Sequence, residues 1–171
     1  MDLGGFSRFG RAGRRARPFL AALALAGTLV PHEVAAQAAA PVAWRVECTG
    51  DGKTLECRAI QLIVRDRQLI LQIAVRYTPE NKMAAMQILL PLGLNLTEPV
   101  QIKVDNGPPE RQAIQTCDAS GCLVTMTAND KLITAMRSGT DLKITVQDAT
   151  KKPIEMSLPL LGFGIAYDKT K

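Results

Sequence analysis

Histidine is almost missing from this chain. The only one, His32, lies in an N-terminal segment that we expect to be cleaved off. Ser-His-Asp and Cys-His nucleophile systems need an imidazole, and the common zinc and non-haem iron sites also use histidine. The acidic residues stand singly along the sequence, so no motif places a carboxylate pair either. We therefore expect no catalytic, cofactor-binding or metal-binding residues, and no cofactor.

Aromatic residues are also scarce, at 4% of the chain. That is too few for the stacking platforms on which proteins bind single-stranded nucleic acid. No glycine-rich phosphate loop, internal repeat or low-complexity tract occurs. Hydrophobic residues make up 47% of the 171 residues, which is enough for one domain with a real core.

The first 36 residues have the order of charge and hydrophobicity that is typical of a secretory signal peptide. An arginine-rich start is followed by an uncharged run at 19–30 and by Val34-Ala35-Ala36. The run has twelve residues, whereas a helix that crosses a bilayer needs about 20. The pattern predicts cleavage after Ala36, and a retained N-terminal anchor helix is the alternative.

Cleavage would also remove most of the charge imbalance. The net charge is +5, but five arginines lie in the first seventeen residues: Arg8, Arg11, Arg14, Arg15 and Arg17. The excess positive charge is therefore no argument for a nucleic-acid partner. We expect a signal peptide at 1–36, a flexible N-terminal arm at 37–43 and a single β-rich domain at 44–168. That domain would be periplasmic, secreted or at the cell surface, with no stable membrane span after cleavage.

Four cysteines follow the export segment, and an even number in an exported domain predicts two disulfides. Each local pair, Cys48 with Cys57 and Cys117 with Cys122, brackets a turn-rich stretch. Because a turn brings its flanking residues close together, we expect these two local bonds. A four-cysteine zinc site and a redox-active pair are the alternatives. The spacing fits neither well, since no Cys-x-x-Cys occurs.

Alternation of apolar and polar side chains dominates the rest of the chain and predicts strands with one buried face. The alternating segments are 60–64, 69–77, 100–105, 142–147 and 154–158. Turn-forming residues separate them at 65–68, 106–109 and 150–153. Short strands with regular turns favour an all-β fold, mainly an antiparallel β-sandwich or barrel.

One segment has helical spacing instead. Leu132, Ile133 and Met136 share one helix face, Asn129 can cap the start and Gly139 can close the end. This predicts one short helix packed on the sheet. Trp44 is expected to pack against the sheet or the nearby disulfide, with a ligand-facing role as the alternative.

Several short motifs in a particular order and spacing resemble those of the invasion-associated locus B proteins of alphaproteobacteria. The resemblance runs from Trp44 to about Tyr167. The motifs are Trp44-Arg-Val-Glu-Cys48 followed by Cys57, LLPLGL at 89–94, Val104-Asp105 followed by Gly107, CDASGC at 117–122, MRSG at 136–139 and LGF at 161–163.

The resemblance implies a secreted or envelope-associated protein of the kind first linked to host-cell entry, and it carries over no catalytic residues. We therefore expect a non-enzymatic exported interaction protein, acting in host-cell association or envelope integrity. Its partner would be an unknown envelope or host-surface protein. Strand-borne charges such as Arg76, Lys103 and Lys143 are expected to contribute modestly to binding. A periplasmic small-ligand carrier is the alternative, and a carboxylate-based hydrolase is a third class.

Overall fold

The structure is a computed structural model that describes residues 44–50 and 52–171. The predicted signal peptide at 1–36 and arm at 37–43 lie outside the described residues. Within them, two antiparallel sheets and two helices form a β-sandwich. The all-β fold class expected from the alternating segments is therefore confirmed.

The larger sheet has six strands in the spatial order β1-β2-β3-β4-β8-β7. Strands of this sheet that follow one another in the chain are joined by short turns, where polar residues interrupt the apolar alternation. The exception is the pairing of β4 with β8, which are far apart in the chain. The strands are β1 (Arg45–Gly50), β2 (Leu55–Arg65), β3 (Gln68–Thr78), β4 (Met83–Leu90), β7 (Thr116–Asp118) and β8 (Gly121–Ala128).

The smaller sheet has four strands in the order β10-β9-β5-β6. They are β5 (Val100–Val104), β6 (Glu110–Gln112), β9 (Asp141–Gln147) and β10 (Pro153–Pro159). Strand β10 contacts β2, and β6 contacts β8, so the two sheets lie face to face.

The core fills the space between the sheets. Inward-facing side chains of both sheets have no exposed surface, among them Ile73 and Ile88 from the larger sheet and Ile102 and Ile144 from the smaller. In β9, buried and half-buried residues alternate along the whole strand. In β9 the alternation therefore marks the face that packs against the other sheet. In β2 the alternation expected at 60–64 marks the wrong face, because Ala59 and Ile63 contact the core whereas Val64 is 53% exposed.

The predicted helix is α1 (Asp130–Ser138), and its buried residues are Leu132, Ile133 and Met136, as expected. The Asn129 side chain accepts a hydrogen bond from the Leu132 amide at 2.8 Å. Gly139 follows the helix with φ −79°, so it does not provide a left-handed turn. The structure adds a second helix, α2 (Phe163–Asp168), that the sequence did not predict.

The two ends of the sandwich differ. At the helix end, α2 contacts α1 and strands β1, β2 and β3, and α1 contacts β4 and β5. At the loop end, the β2–β3 turn, the loop at 91–99 and the β9–β10 turn come together. The backbone N–H of Asn95 donates to the backbone carbonyl of Gln147, and the backbone N–H of Ala149 donates to that of Gly93.

Candidate functional site

An aromatic cluster occupies the helix end. The Trp44 ring meets the Phe163 ring edge-on at 4.9 Å between centroids, and Phe163 stacks on Tyr167 at 5.7 Å. The Trp44 indole N–H also donates to the Pro159 carbonyl at 3.1 Å. All three rings are buried, so the predicted packing role of Trp44 is confirmed, with Phe163 as its aromatic partner.

Arg137 fastens α1 to α2 beside this cluster. Its guanidinium donates two hydrogen bonds to the Asp168 carboxylate, one of them from Nη1 to Oδ2 at 3.0 Å. Hydrogen bonding to Arg137 lowers the pKa of Asp168 to about 2. The guanidinium also lies 5.4 Å from the centre of the Tyr167 ring. A bidentate pair of this kind fixes direction as well as distance.

Asp105 and Gly139 make a second set of contacts at the helix end, where the end of β5 meets the start of β9 and the end of α1. The Asp105 carboxylate accepts hydrogen bonds from the Thr140 and Asp141 amides, and these bonds lower its pKa. A Cβ atom on Gly139 would lie 2.3 Å from Val104 Cγ1 and 2.8 Å from the Ala135 carbonyl oxygen. Residue 139 must therefore be glycine for lack of space. The motifs that meet at this end hold the scaffold together.

The remaining two motifs meet at the loop end. The segment 89–94 lies against the start of β8, where a Cβ on Gly121 would be 2.3 Å from the Leu90 carbonyl oxygen. Cys117 and Cys122 form a disulfide there, and Cys48 and Cys57 form the other. These are the local pairings expected from the turns. All four sulfur atoms are in these bonds, which leaves none for the alternative four-cysteine zinc site. The redox-pair alternative stays a hypothesis, since an oxidised pair is itself a disulfide.

A groove opens between the two sheets at the loop end, with a volume of about 380 Å³. Its lining is mainly aliphatic: Ile63, Ile70, Pro91, Leu94, Val146, Ile154 and Met156, with Arg65, Glu155 and Ser157. Ile154 is 40% exposed, and the neighbouring Leu92 and Val64 are more than half exposed. Exposed apolar surface rimmed by polar residues is typical of a contact or ligand-binding surface.

Hydrogen bonds stabilise the ionised form of three carboxylates. Asp105, Asp148 and Asp168 all have lowered pKa values, because each accepts hydrogen bonds that stabilise its ionised form. A general acid needs a pKa close to the working pH. In residues 44–50 and 52–171, no three potential metal ligands lie close enough together to hold an ion.

The sequence did not identify the groove, because its walls come from four strands and a loop. Alternation marked several of the lining residues as apolar but could not show which strands face one another. Of the strand-borne charges singled out from the sequence, Lys103 pairs with Glu155 at 3.2 Å and Arg76 with Glu56 at 3.6 Å. Lys143 lies opposite Lys103 in the β5–β9 register. The structure does not bring the three together in one cluster.

Proteins similar to this chain are known from a family model, from individual sequences and from a solved structure. A family model described as invasion associated locus B (IalB) protein matches residues 44–171. Two invasion protein B homologs from Brucella abortus, of strain 2308 and of biovar 1 strain 9-941, are each 28% identical over 129 residues. The alignments cover 74% of this chain and 74% of each relative.

The crystal structure of invasion associated protein B from Bartonella henselae has a similar fold. Its TM-score is 0.69 at 24% sequence identity, and the match covers 77% of this chain and 93% of that one. In the part of the chain that the structure describes, no helix is long and apolar enough to cross a membrane.

Proposed function

The chain belongs to the invasion associated locus B family, and on that premise we propose that it is a non-enzymatic, exported interaction protein. Its role would be in host-cell association or envelope integrity, through a protein partner of the envelope or the host surface. The observation that carries this proposal is the loop-end groove, where aliphatic side chains remain exposed beside a packed core.

Export is the second part of the proposal. Disulfides persist in oxidising compartments, and both of the disulfides here tie adjacent strands. The protein would be made with a signal peptide at 1–36, followed by an arm at 37–43 and one β-rich domain. N-terminal sequencing of protein from the envelope fraction should begin at or near Gln37. Recovery of intact Met1 in a membrane-embedded form would contradict export with cleavage.

The groove can be tested with two matched substitutions. Ile154→Glu puts a charge in the groove, and Ile165→Glu puts the same charge at the helix end, where Ile165 is 72% exposed. We expect Ile154→Glu to abolish capture of the partner from host-cell surfaces or envelopes, because burying the carboxylate in an apolar contact is costly. Ile165→Glu should keep wild-type capture. Circular dichroism and unfolding curves show whether both variants are folded.

Equal capture by two folded variants would show that the groove is not the contact surface.

The proposal that the protein is not an enzyme has its own test, an alanine scan of the acidic residues in which activity is scored against the amount of folded protein. If one or two folded and abundant carboxylate variants lost all activity, the protein would have a catalytic or dedicated ligand site at those residues.

A periplasmic small-ligand carrier is the second candidate, and the groove volume favours it. About 380 Å³ falls within the range of roughly 300–1,000 Å³ for small-molecule sites, and Arg65 in the lining suits an acidic group on an apolar ligand. Native mass spectrometry of protein purified from the envelope should then detect a retained small molecule. Ile154→Trp, which fills the groove without adding charge, should remove that molecule, whereas Ile165→Trp should not.

A further inference from the structure

A depression lies on the outward face of the larger sheet, away from the loop-end groove. Register places two arginines side by side there. Ala59 pairs with Val75, so the next position along each strand sets Arg58 opposite Arg76. Like charges opposite one another in a sheet are destabilising, and an anion held by both guanidinium groups would relieve that repulsion.

Small residues form the floor of this depression, which we call the arginine dish. Ala74 and Ala85 line it, and the register pairs Ala85 with Arg76 and Ala74 with Gln87. Its volume is about 230 Å³, which exceeds the share of several water molecules at about 30 Å³ each. Longer side chains at residues 74 and 85 would fill this space, so the alanines allow a ligand to approach the sheet beside the Arg76 guanidinium group.

The remaining wall of the arginine dish is polar. Thr49 and Gln87 line it and offer a hydroxyl and an amide as hydrogen-bonding groups, and Glu56 also lines it with a carboxylate that competes for Arg76. Cys57 also lines it, and its disulfide to Cys48 holds β1 against β2 in the register that sets Thr49 opposite Glu56. The disulfide therefore positions one wall relative to the arginines.

Two glutamates lie near the arginines without occupying their donors. Arg76 Nη1 is 3.6 Å from Glu56 Oε2, and Arg58 Nη2 is 3.9 Å from Glu47 Oε2. Both separations exceed normal hydrogen-bond length. Glu47 instead accepts a hydrogen bond from Arg45 Nε at 2.9 Å. The guanidinium N–H groups of Arg58 and Arg76 can therefore turn toward a ligand at small cost, because exposed ion pairs of this kind are weak.

We propose that the arginine dish binds the sulfate or phosphate group of an anionic saccharide. Two guanidinium groups offer forked N–H donors that match oxyanion geometry, and the hydroxyl and amide of the wall suit the neighbouring sugar hydroxyls. A host glycan and a bacterial envelope saccharide would present the same chemistry. The site is separate from the groove, and its test does not depend on the proposed function.

The experiment titrates the disulfide-bonded protein with three sugars while recording backbone amide NMR signals. The probes are N-acetylglucosamine 6-sulfate, N-acetylglucosamine 6-phosphate and uncharged N-acetylglucosamine. The charged sugars should shift the signals of residues 56–58, 74–76 and 85–87 in a saturable way, and the uncharged sugar should not. The binding should weaken as salt is added, because both arginines are exposed to solvent. The ratio of the two charged affinities distinguishes a sulfated host-type ligand from a phosphorylated envelope-type ligand.

Substitutions separate the arginine dish from general surface charge. Arg58→Gln and Arg76→Gln should each weaken binding by about fivefold, and the double variant should show no saturable shifts. Arg111→Gln removes an exposed arginine of the smaller sheet and should bind as the wild type does. Ala85→Leu keeps every charge but fills the floor, and it should also abolish binding. Glu56→Gln removes a competing carboxylate and should tighten binding.

Three outcomes would overturn the proposal. One is equal binding of charged and uncharged sugars, and another is a folded double variant that binds as tightly as the wild type. The third is an Arg111→Gln variant that loses as much affinity as Arg58→Gln, since binding would then follow net charge alone.

Discussion

The helix end and the loop end of the sandwich are closed in different ways. At the helix end, the Phe163 ring is fully buried between Trp44 and Tyr167, and Arg137 joins the two helices through Asp168. At the loop end, aliphatic side chains line a groove that is open to solvent, and the chain is held there by backbone hydrogen bonds and one disulfide.

Because of this difference, we expect residues that stabilise the fold and residues that bind a partner to lie at opposite ends of the sandwich. The helix end also exposes apolar side chains, such as Leu161 before α2 and Ile165 within it, but its aromatic cluster is closed to solvent. The loop end has aliphatic side chains that are exposed in the groove, where a partner could bury them. Substitutions at the helix end should therefore act mainly on the free energy of unfolding, and those at the loop end mainly on binding.

The largest effect should come from emptying the aromatic cluster. Phe163→Ala should lower the free energy of unfolding by about 3–5 kcal/mol, because a buried aromatic ring leaves a cavity. Ile154→Ala in the groove should cost only about 1 kcal/mol, since Ile154 is partly exposed. Urea unfolding measures both, with Ile165→Ala as the exposed control. Equal losses for Phe163→Ala and Ile154→Ala would show that the two ends are packed alike.

Removing either disulfide should have the next largest effect. Replacing Cys117 and Cys122 together by serine should cost roughly 2–3 kcal/mol, as should replacing Cys48 and Cys57, because each bond closes a short loop. The bonds span five and nine residues. Unfolding curves with and without reductant provide the check. If reductant did not shift the wild-type curve, the loop end would not depend on its disulfide.

Glycines at the two ends should respond to alanine for different reasons. Gly139→Ala at the helix end should cost about 1–3 kcal/mol through overpacking against Val104, and adding Val104→Ala should recover part of that loss. Gly93→Ala at the loop end meets no atom within 4 Å but has φ +86°, so it should cost about 1–2 kcal/mol through backbone strain alone. Thermal unfolding of the single and double variants measures both. If Val104→Ala gave no recovery, space would not be the reason for glycine at 139.

The smallest effect should appear as a pH dependence at the helix end. The pKa of Asp168 falls from 3.8 to about 2 on folding, chiefly because Arg137 donates to its ionised form. Its contribution to stability is therefore complete above the unfolded value and is lost as pH falls toward 2. The stability difference between wild type and Asp168→Asn should shrink over that window. Arg137→Gln should remove the same dependence, and an unchanged difference would contradict the assignment.

The sequence predicted the parts of the fold that depend on local patterns. Alternation marked β3 and β9, and turns between nearby cysteines indicated both disulfides. Strand β4 was not identified even though Ala84 and Met86 alternate with more exposed neighbours. Helix α2 has only six residues, which is too short for helical periodicity to stand out. The export segment stays a prediction.

The two candidate sites depend on distant pairings that a single sequence does not display. Arg58 faces Arg76 only in one strand register, and a slip of one residue would point Arg76 into the core. The loop-end groove depends on how β10 lies against β2. Both sites therefore follow from the pairing of whole strands and not from any local motif.

The outer strands of the sandwich affect how the protein behaves when many copies are crowded together. In the described part of the chain, β6 and β7 are three residues long, and β10 begins and ends with prolines, which lack an N–H to offer a neighbouring strand. Strand β1 is longer but presents Arg45 and Glu47, and charged side chains discourage strand addition. A concentrated solution of this protein should therefore resist fibre formation through its sheet edges, and self-association would have to use side-chain surfaces.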